Sequence, residues 1–304
     1  MDVLQGQVWE WLDRTPLAIW IAACLIGAAI ELTTRSSRPH AASSRWLNVR
    51  YGAVHVTAIF VLSPLCNLAV DATSRQMGFK LLDFGSVSES VLLNQVLTVV
   101  AFALVSDFFY YWWHRLQHRC RVLWDQHAVH HSDETVNVTT TMRQHWSEFA
   151  FQSLLVSLPA VILVRMDPIT IFAISVVMHT WSFFNHADVR LPLGPLAYVV
   201  SGPQLHRVHH STLPEHRDRN FAAYFPVWDL VFGTFHAPRR DEYPPTGLVT
   251  GERIDSVFLL SAWPFLMLLG RLMPHRLWRW SAFRFTWTHY RFHVRRESHS
   301  KSII

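Results

Sequence analysis

Residues 107–131 read Asp107-Phe-Phe-Tyr-Tyr-Trp-Trp-His114-Arg-Leu-Gln-His118-Arg-Cys-Arg-Val-Leu-Trp-Asp-Gln-His127-Ala-Val-His130-His131, and this stretch decides the fold. Upstream of it the chain is apolar from Val91 and carries no charge before Asp107. No Gly or Pro occurs between Gly85 and Pro159, which permits long unbroken helices. The apolar helix is therefore expected to run on through the Phe109–Trp113 aromatic cluster. Such a cluster suits a membrane–water boundary, and the histidines would emerge just past it. Residues at i, i+3 and i+4 share one helical face. His114 and His118 thus lie one turn apart, and His127, His130 and His131 form one patch. His206-Arg-Val-His209-His210 repeats that spacing downstream.

Five further apolar segments surround this one: Pro16–Ile30, Tyr51–Val70, Phe149–Val164, Ile169–Phe184 and Val257–Gly270. A spanning helix needs roughly 20 apolar residues. The Tyr51–Val70 segment and the one beginning at Val91 meet this. The others are shorter, and tilted spans, a re-entrant hairpin or buried helices all suit them. Met166-Asp167-Pro168 is a tight break, so the segments on either side are expected to form a helical hairpin. The fold class expected is all-α: a multi-span membrane helical bundle with a cytoplasmic-face helical cap that carries a histidine-rich di-metal site. Residues 1–89 would be the anchor helices, 90–240 the catalytic domain, and 241–304 a membrane-associated segment with a basic tail.

Composition agrees with a membrane part joined to a polar part. Half of the 304 residues are hydrophobic, and the mean hydropathy is only +0.15. The net charge of +5 is carried almost entirely by arginine, the lysines being Lys80 and Lys301. A basic balance suits nucleic acid or an anionic membrane surface; the apolar segments and fourteen tryptophans favour the membrane, and no nucleic-acid partner is expected. Cys24, Cys66 and Cys120 are far apart, which leaves a disulfide framework, an iron–sulfur cluster and a thiolate zinc site without support. The acidic N-terminus lacks a basic n-region and is not read as a cleaved signal peptide. Arg35, Arg38, Arg45 and Arg50 place the first loop in the cytoplasm by the positive-inside rule, and Arg115, Arg119 and Arg121 return there. Arg291, Arg295 and Arg296 conflict with a sixth full span, and the last apolar segment then dips in and returns.

Imidazole binds zinc, copper, iron and nickel. The eight in the three clusters exceed the needs of one ion and suit two ions in one cavity. His40, His55, His216, His275, His289, His293 and His299 read instead as surface or hydrogen-bonded residues. A metal transporter would place ionisable groups along several spans, whereas here they gather outside them. A haem bundle uses at most two axial ligands and leaves most of the histidines without a role.

The whole pattern is His-x3-His, eight residues, His-x2-His-His, seventy-four residues, His-x2-His-His. Together with Asp107–Arg115, Leu123-Trp124 and the Asn220–Thr234 stretch around Trp228-Asp229-Leu-Val-Phe-Gly-Thr, it resembles the fatty acid hydroxylase / sterol desaturase superfamily over roughly residues 90 to 240. The resemblance implies a membrane-bound non-haem di-iron enzyme that uses O2 to hydroxylate a lipid, with desaturation as the alternative within the family. It implies His114, His118, His127, His130, His131, His206, His209 and His210 as metal ligands, and His186 as a further one. His145 also matches a family position, and His179 lies two turns before His186; both have candidate catalytic roles, or serve helix packing. Asp107 is the candidate for orienting a ligand, since an ionisable residue in an apolar helix is costly without a partner. Asp188 and Asp218 are weaker candidates. The Asn137-Val-Thr139 sequon falls between ligand clusters and reads as fortuitous.

Each hydroxylation needs external electrons. The chain has no GxGxxG between strand and helix, no cysteine set for an iron–sulfur cluster, and ends too short for a fused cytochrome b5. A separate ferredoxin, or cytochrome b5 with its reductase, is expected to dock on Arg207, Arg217, Arg219, Arg239 and Arg240. The protein is expected in a bacterial inner membrane or the endoplasmic reticulum.

Overall fold

The computed structural model describes residues 2–33, 41–78 and 80–272, the side chains of 2–17 and 41 aside. The Arg35–Arg38 loop and the basic tail beyond residue 272, with His275, His289, His293 and His299, lie outside the described residues. The described part is all helical: α1 Asp2–Thr33, α2 Ala41–Met77, α3 Val91–Arg119, α4 Arg121–His131, α5 Glu148–Leu163, α6 Pro168–His186, α7 Pro203–His209, α8 Val227–Val231 and α9 Val257–Leu272. Extended pairing among the described residues is confined to two isolated bridges, Leu82–Val164 and Ser211–Thr246.

Each apolar segment of the sequence becomes a helix. Three are long and apolar enough to cross a bilayer: Ala42–Met77, Val91–Arg119 and Pro168–His186. These mark an integral membrane protein. The third gains length because Asp167 caps it, accepting from the Thr170 N–H at 2.9 Å, while Pro168 supplies a preset first turn. Ala18–Thr33, Glu148–Leu163 and Val257–Leu272 are shorter apolar helices. Phe102 and Ala103 of α3, Ala160 of α5 and Ile174 of α6 meet in one apolar cluster, which Val164 just past α5 completes.

The α3 helix does continue past the aromatic cluster. Its 29 residues reach about 43 Å at 1.5 Å each, more than a hydrocarbon core requires. Ser90 caps its start. Cys120 then takes an extended conformation (φ −96°, ψ 117°), and α4 sets off in a new direction. Neither Gly nor Pro causes this corner. It folds α4 back so that its histidines meet those of α3. A second apolar cluster joins Tyr51 of α2, Ala128 and Val129 of α4, and Leu260, Trp263 and Met267 of α9, seating the corner against the bundle.

Candidate metal centre

The nine histidines of the sequence pattern converge in two sets. His114, His118, His127, His131 and His209 form one, and His130, His186, His206 and His210 the other. Within each set the ligand atoms all lie within 4.8 Å of one another. The spacing motifs do not map one to a set. In the second motif His127 and His131, one turn apart, face the first set, while His130 faces the second. In the third motif His206 and His210 face the second set, and His209 crosses to the first. His131 and His210 stack at 4.4 Å between ring centres, so the sets adjoin.

The ring nitrogens show what such a centre can hold. His114 Nδ1 donates to the Phe221 carbonyl at 2.7 Å, His209 Nδ1 to the Arg219 carbonyl at 2.8 Å, and His186 Nδ1 to the Ser182 carbonyl at 2.7 Å. Each of these rings therefore turns an Nε2 lone pair inward. There His114 Nε2 meets His127 Nε2 at 2.9 Å, His209 meets His131 at 3.1 Å, and His186 meets His130 at 3.1 Å and His206 at 3.0 Å. Burial first, and the neighbouring imidazoles second, push His127, His130, His131, His206, His209 and His210 well below the ordinary histidine range. Burial thus disfavours the charged imidazolium, and the converging ring nitrogens have the donor chemistry to take cations between them. The residues present fit two metal ions, one with five imidazoles within reach and one with four.

The carbonyls that orient His114 and His209 come from a loop the sequence reading did not single out for this task. Asp218 and Asn220 both adopt left-handed φ, 57° and 55°. That turn places the carbonyls of Arg219 and Phe221 toward the rings. Asn220 holds it: its amide donates to Leu205 O and His236 O, and its carbonyl accepts the His236 N–H at 2.8 Å. Asp218 lies 3.7 Å from His118 Nδ1.

Asp107, fully buried, accepts the backbone N–H groups of Ala223, Tyr224 and Phe225, the last at 2.7 Å. It anchors the continuation of the same loop and is not among the residues of either set. His145 is buried outside both sets, between Ser147 Oγ at 2.7 Å and the Ser261 carbonyl at 3.1 Å. His179 is exposed, bonds the Ser175 carbonyl, and lies against Trp20 with ring centres 5.4 Å apart. His186, at the end of α6, is the later histidine that joins a set.

Arg207 does not belong to a docking surface. It is 3% exposed, donates to Asp188 Oδ1 at 3.1 Å and to Pro244 O at 3.0 Å, and lies over the Tyr243 ring. The sequence placed it by its charge alone, whereas the α7 face that carries it turns inward. Asp188 also accepts from the Tyr243 hydroxyl.

Two buried networks lock the cap to the membrane helices. Asp133 accepts from Ser44 at 2.6 Å, Asn48 at 2.8 Å and Thr140 at 2.7 Å. Burial alone would raise this carboxyl; the Arg143 charge and those hydrogen bonds outweigh it and hold it below the usual range. Arg143 reaches Ser132 Oγ, Asn48 Oδ1 and the Ile254 carbonyl. Glu148 accepts from Trp113 at 2.7 Å and from Gln117, Gln126 and Gln152, tying α3, α4 and α5 together beside the rings. The only hint in the sequence was a cluster of charged and amide residues beside apolar helices.

Three helices long and apolar enough to cross a membrane thus stand beside a buried polyhistidine cluster with the donor chemistry of a metal site. Residues 99–234, a little under half of the chain, match the model of the fatty acid hydroxylase family. The chain is 37% identical over 137 residues to alkylglycerol monooxygenase of Danio rerio, covering 45% of this chain and 30% of that protein. It is 34% identical over 132 residues to the Homo sapiens alkylglycerol monooxygenase, covering 43% of this chain and 29% of the relative. To ornithine lipid hydroxylase OlsE of Rhizobium tropici it is 32% identical over 167 residues, covering 55% of this chain and half of that protein. The match thus spans about a third of the length of the alkylglycerol monooxygenases. No solved structure matches the chain.

Proposed function

We propose that this protein is a membrane-bound monooxygenase that hydroxylates a C–H bond of a lipid at a histidine-ligated di-iron centre. The observation that carries the reading is the pair of adjoining imidazole sets with inward lone pairs. Unactivated C–H bonds resist acid–base chemistry, and iron bound there with O2 as co-substrate supplies the oxidising power that side chains lack. The chain's own part is to hold, orient and exclude water. His114, His118, His127, His131 and His209 would hold one ion and His130, His186, His206 and His210 the other. Asp107 and Asn220 keep the 218–225 loop in place, and burial of the assembly keeps water out.

The relatives named as monooxygenase and hydroxylase favour hydroxylation over desaturation. Their names, alkylglycerol and ornithine lipid, point to a substrate with a polar headgroup, which would enter sideways from the bilayer. Electrons come from a separate ferredoxin, or cytochrome b5 with its reductase, docking near Arg217, Arg219, Arg239 and Arg240 on the cytoplasmic face of a bacterial inner membrane or the endoplasmic reticulum. The test is expression in a host of defined lipid content, followed by untargeted lipid mass spectrometry. One lipid should gain one oxygen. Loss of two hydrogens without added oxygen would make the protein a desaturase, and no change with the iron sites filled would overturn the reading.

A further inference from the structure

His216 reads in the sequence as an ordinary histidine, yet it is 1% exposed. It sits in the Pro214–His216 turn just past the third histidine motif. Its Nε2 lies 2.8 Å from Glu242 Oε1, and His236 Nε2 lies 3.3 Å from the other oxygen of the same carboxylate. The His216 and His236 ring centres are 4.7 Å apart, and the three ligand atoms lie within 4.8 Å of one another. None of the three residues belongs to the nine-histidine assembly. We propose that His216, His236 and Glu242 form a third, separate divalent-metal site of the zinc type, which clamps the 236–246 segment over the third histidine motif.

Two imidazoles and one carboxylate are a zinc donor set, with a fourth position left for water. His236 is 28% exposed, so solvent reaches that side of the cluster. A ligating histidine usually engages its other nitrogen, and Ser211 Oγ stands 2.9 Å from His216 Nδ1. The remaining ligands are preset by backbone contacts. The His236 N–H donates to Asn220 Oδ1, and the Arg239 N–H to Glu242 Oε2 at 2.9 Å. Gln204 on α7 holds the same segment through the carbonyls of Arg239 and Glu242. The His236–Asn220 bond joins the clamp to the loop that orients His114 and His209, so an ion at this site would stiffen that loop.

The test uses the full chain in detergent with its own metals in place, equilibrated with Zn2+ alone. Metal is counted by mass spectrometry, and the zinc environment is read by X-ray absorption. Wild type should bind about one equivalent of zinc more than Glu242→Gln or His236→Gln, in an all-nitrogen/oxygen shell containing imidazole. Iron content should be equal in all three. His236 is 28% exposed against 1% for His216, so its variant is expected to fold even where a change at His216 disrupts the turn. Zinc chelation should raise protease cleavage within 236–246 at least several-fold in wild type and leave the variants unchanged. The zinc count is a difference between proteins, so it stands whichever metal fills the nine-histidine assembly. Equal zinc in wild type and both variants would overturn the proposal and leave a hydrogen-bonded latch.

Discussion

The α2 helix and the α3–α4 corner are both helical, and they bury opposite kinds of residue. In the 18-residue apolar window of α2 only 6% is buried, and Val61, Leu65 and Leu68 face outward. In α4 every residue from Asp125 to His131 is buried, and four of those seven are charged, amide or imidazole groups besides His127. An exposed apolar face is stable where lipid is the solvent. A buried polar face is stable only where every group finds a partner. In the cap many of those partners are backbone carbonyls and the Asp133 and Glu148 networks, and the inward ring nitrogens are where the proposed metal ions would sit. Lipid thus carries one half of the molecule, and ligation with buried hydrogen bonds carries the other.

Four changes would break or sharpen that contrast. The largest effect falls on the ligands. His127→Ala or His206→Ala should lower turnover by about 100-fold or more, since even outer partners of ligands are worth 10 to 100-fold. Membrane insertion, measured by carbonate extraction, should not change, because the apolar helices do not depend on metal. Near-normal turnover in both variants would remove the imidazole sets from the chemistry.

Next comes the network behind them. Arg143→Met removes the charge that favours ionised Asp133 and strips the partners from Asn48 Oδ1, Ser132 Oγ and the Ile254 carbonyl, at about 1–3 kcal/mol for each buried group left unpaired. Thermal unfolding in detergent should show it as a large drop, and a loss below about 1 kcal/mol would mean that Asp133 is not held by that charge.

The orienting loop should give a smaller change. Asn220→Ala removes the contacts that hold a left-handed turn, and metal retention against a chelator should weaken by about 10 to 100-fold. Unchanged retention would show that the carbonyls of Arg219 and Phe221 do not matter for ligation.

The smallest effect belongs to the lipid face. Leu65→Ala, on an outward position of α2, should alter stability by no more than about 0.5 kcal/mol and leave turnover alone. A cost above about 2 kcal/mol would place that face against protein instead of lipid.

Much of this was legible without coordinates. The charge-free run from Val91 and the spacing of His114, His118, His127, His130, His131, His206, His209 and His210 decide that long apolar helices end in imidazole patches, because periodicity along one helix is local geometry. His186 is singled out only through the family resemblance, which implies a further histidine between the second and third motifs. Tertiary structure alone decided how these histidines divide: His130 leaves its neighbour His131 for the other set, and His209 crosses the opposite way. The chain also had to fold before His145 and His179 fell outside both sets, Arg207 turned inward, and His216 met Glu242 across 26 residues. Spacing states which residues share a face of one helix. Which faces of different helices meet depends on the Cys120 corner, the left-handed turn at Asp218 and Asn220, and buried networks that couple residues about 100 positions apart, and no local period records those.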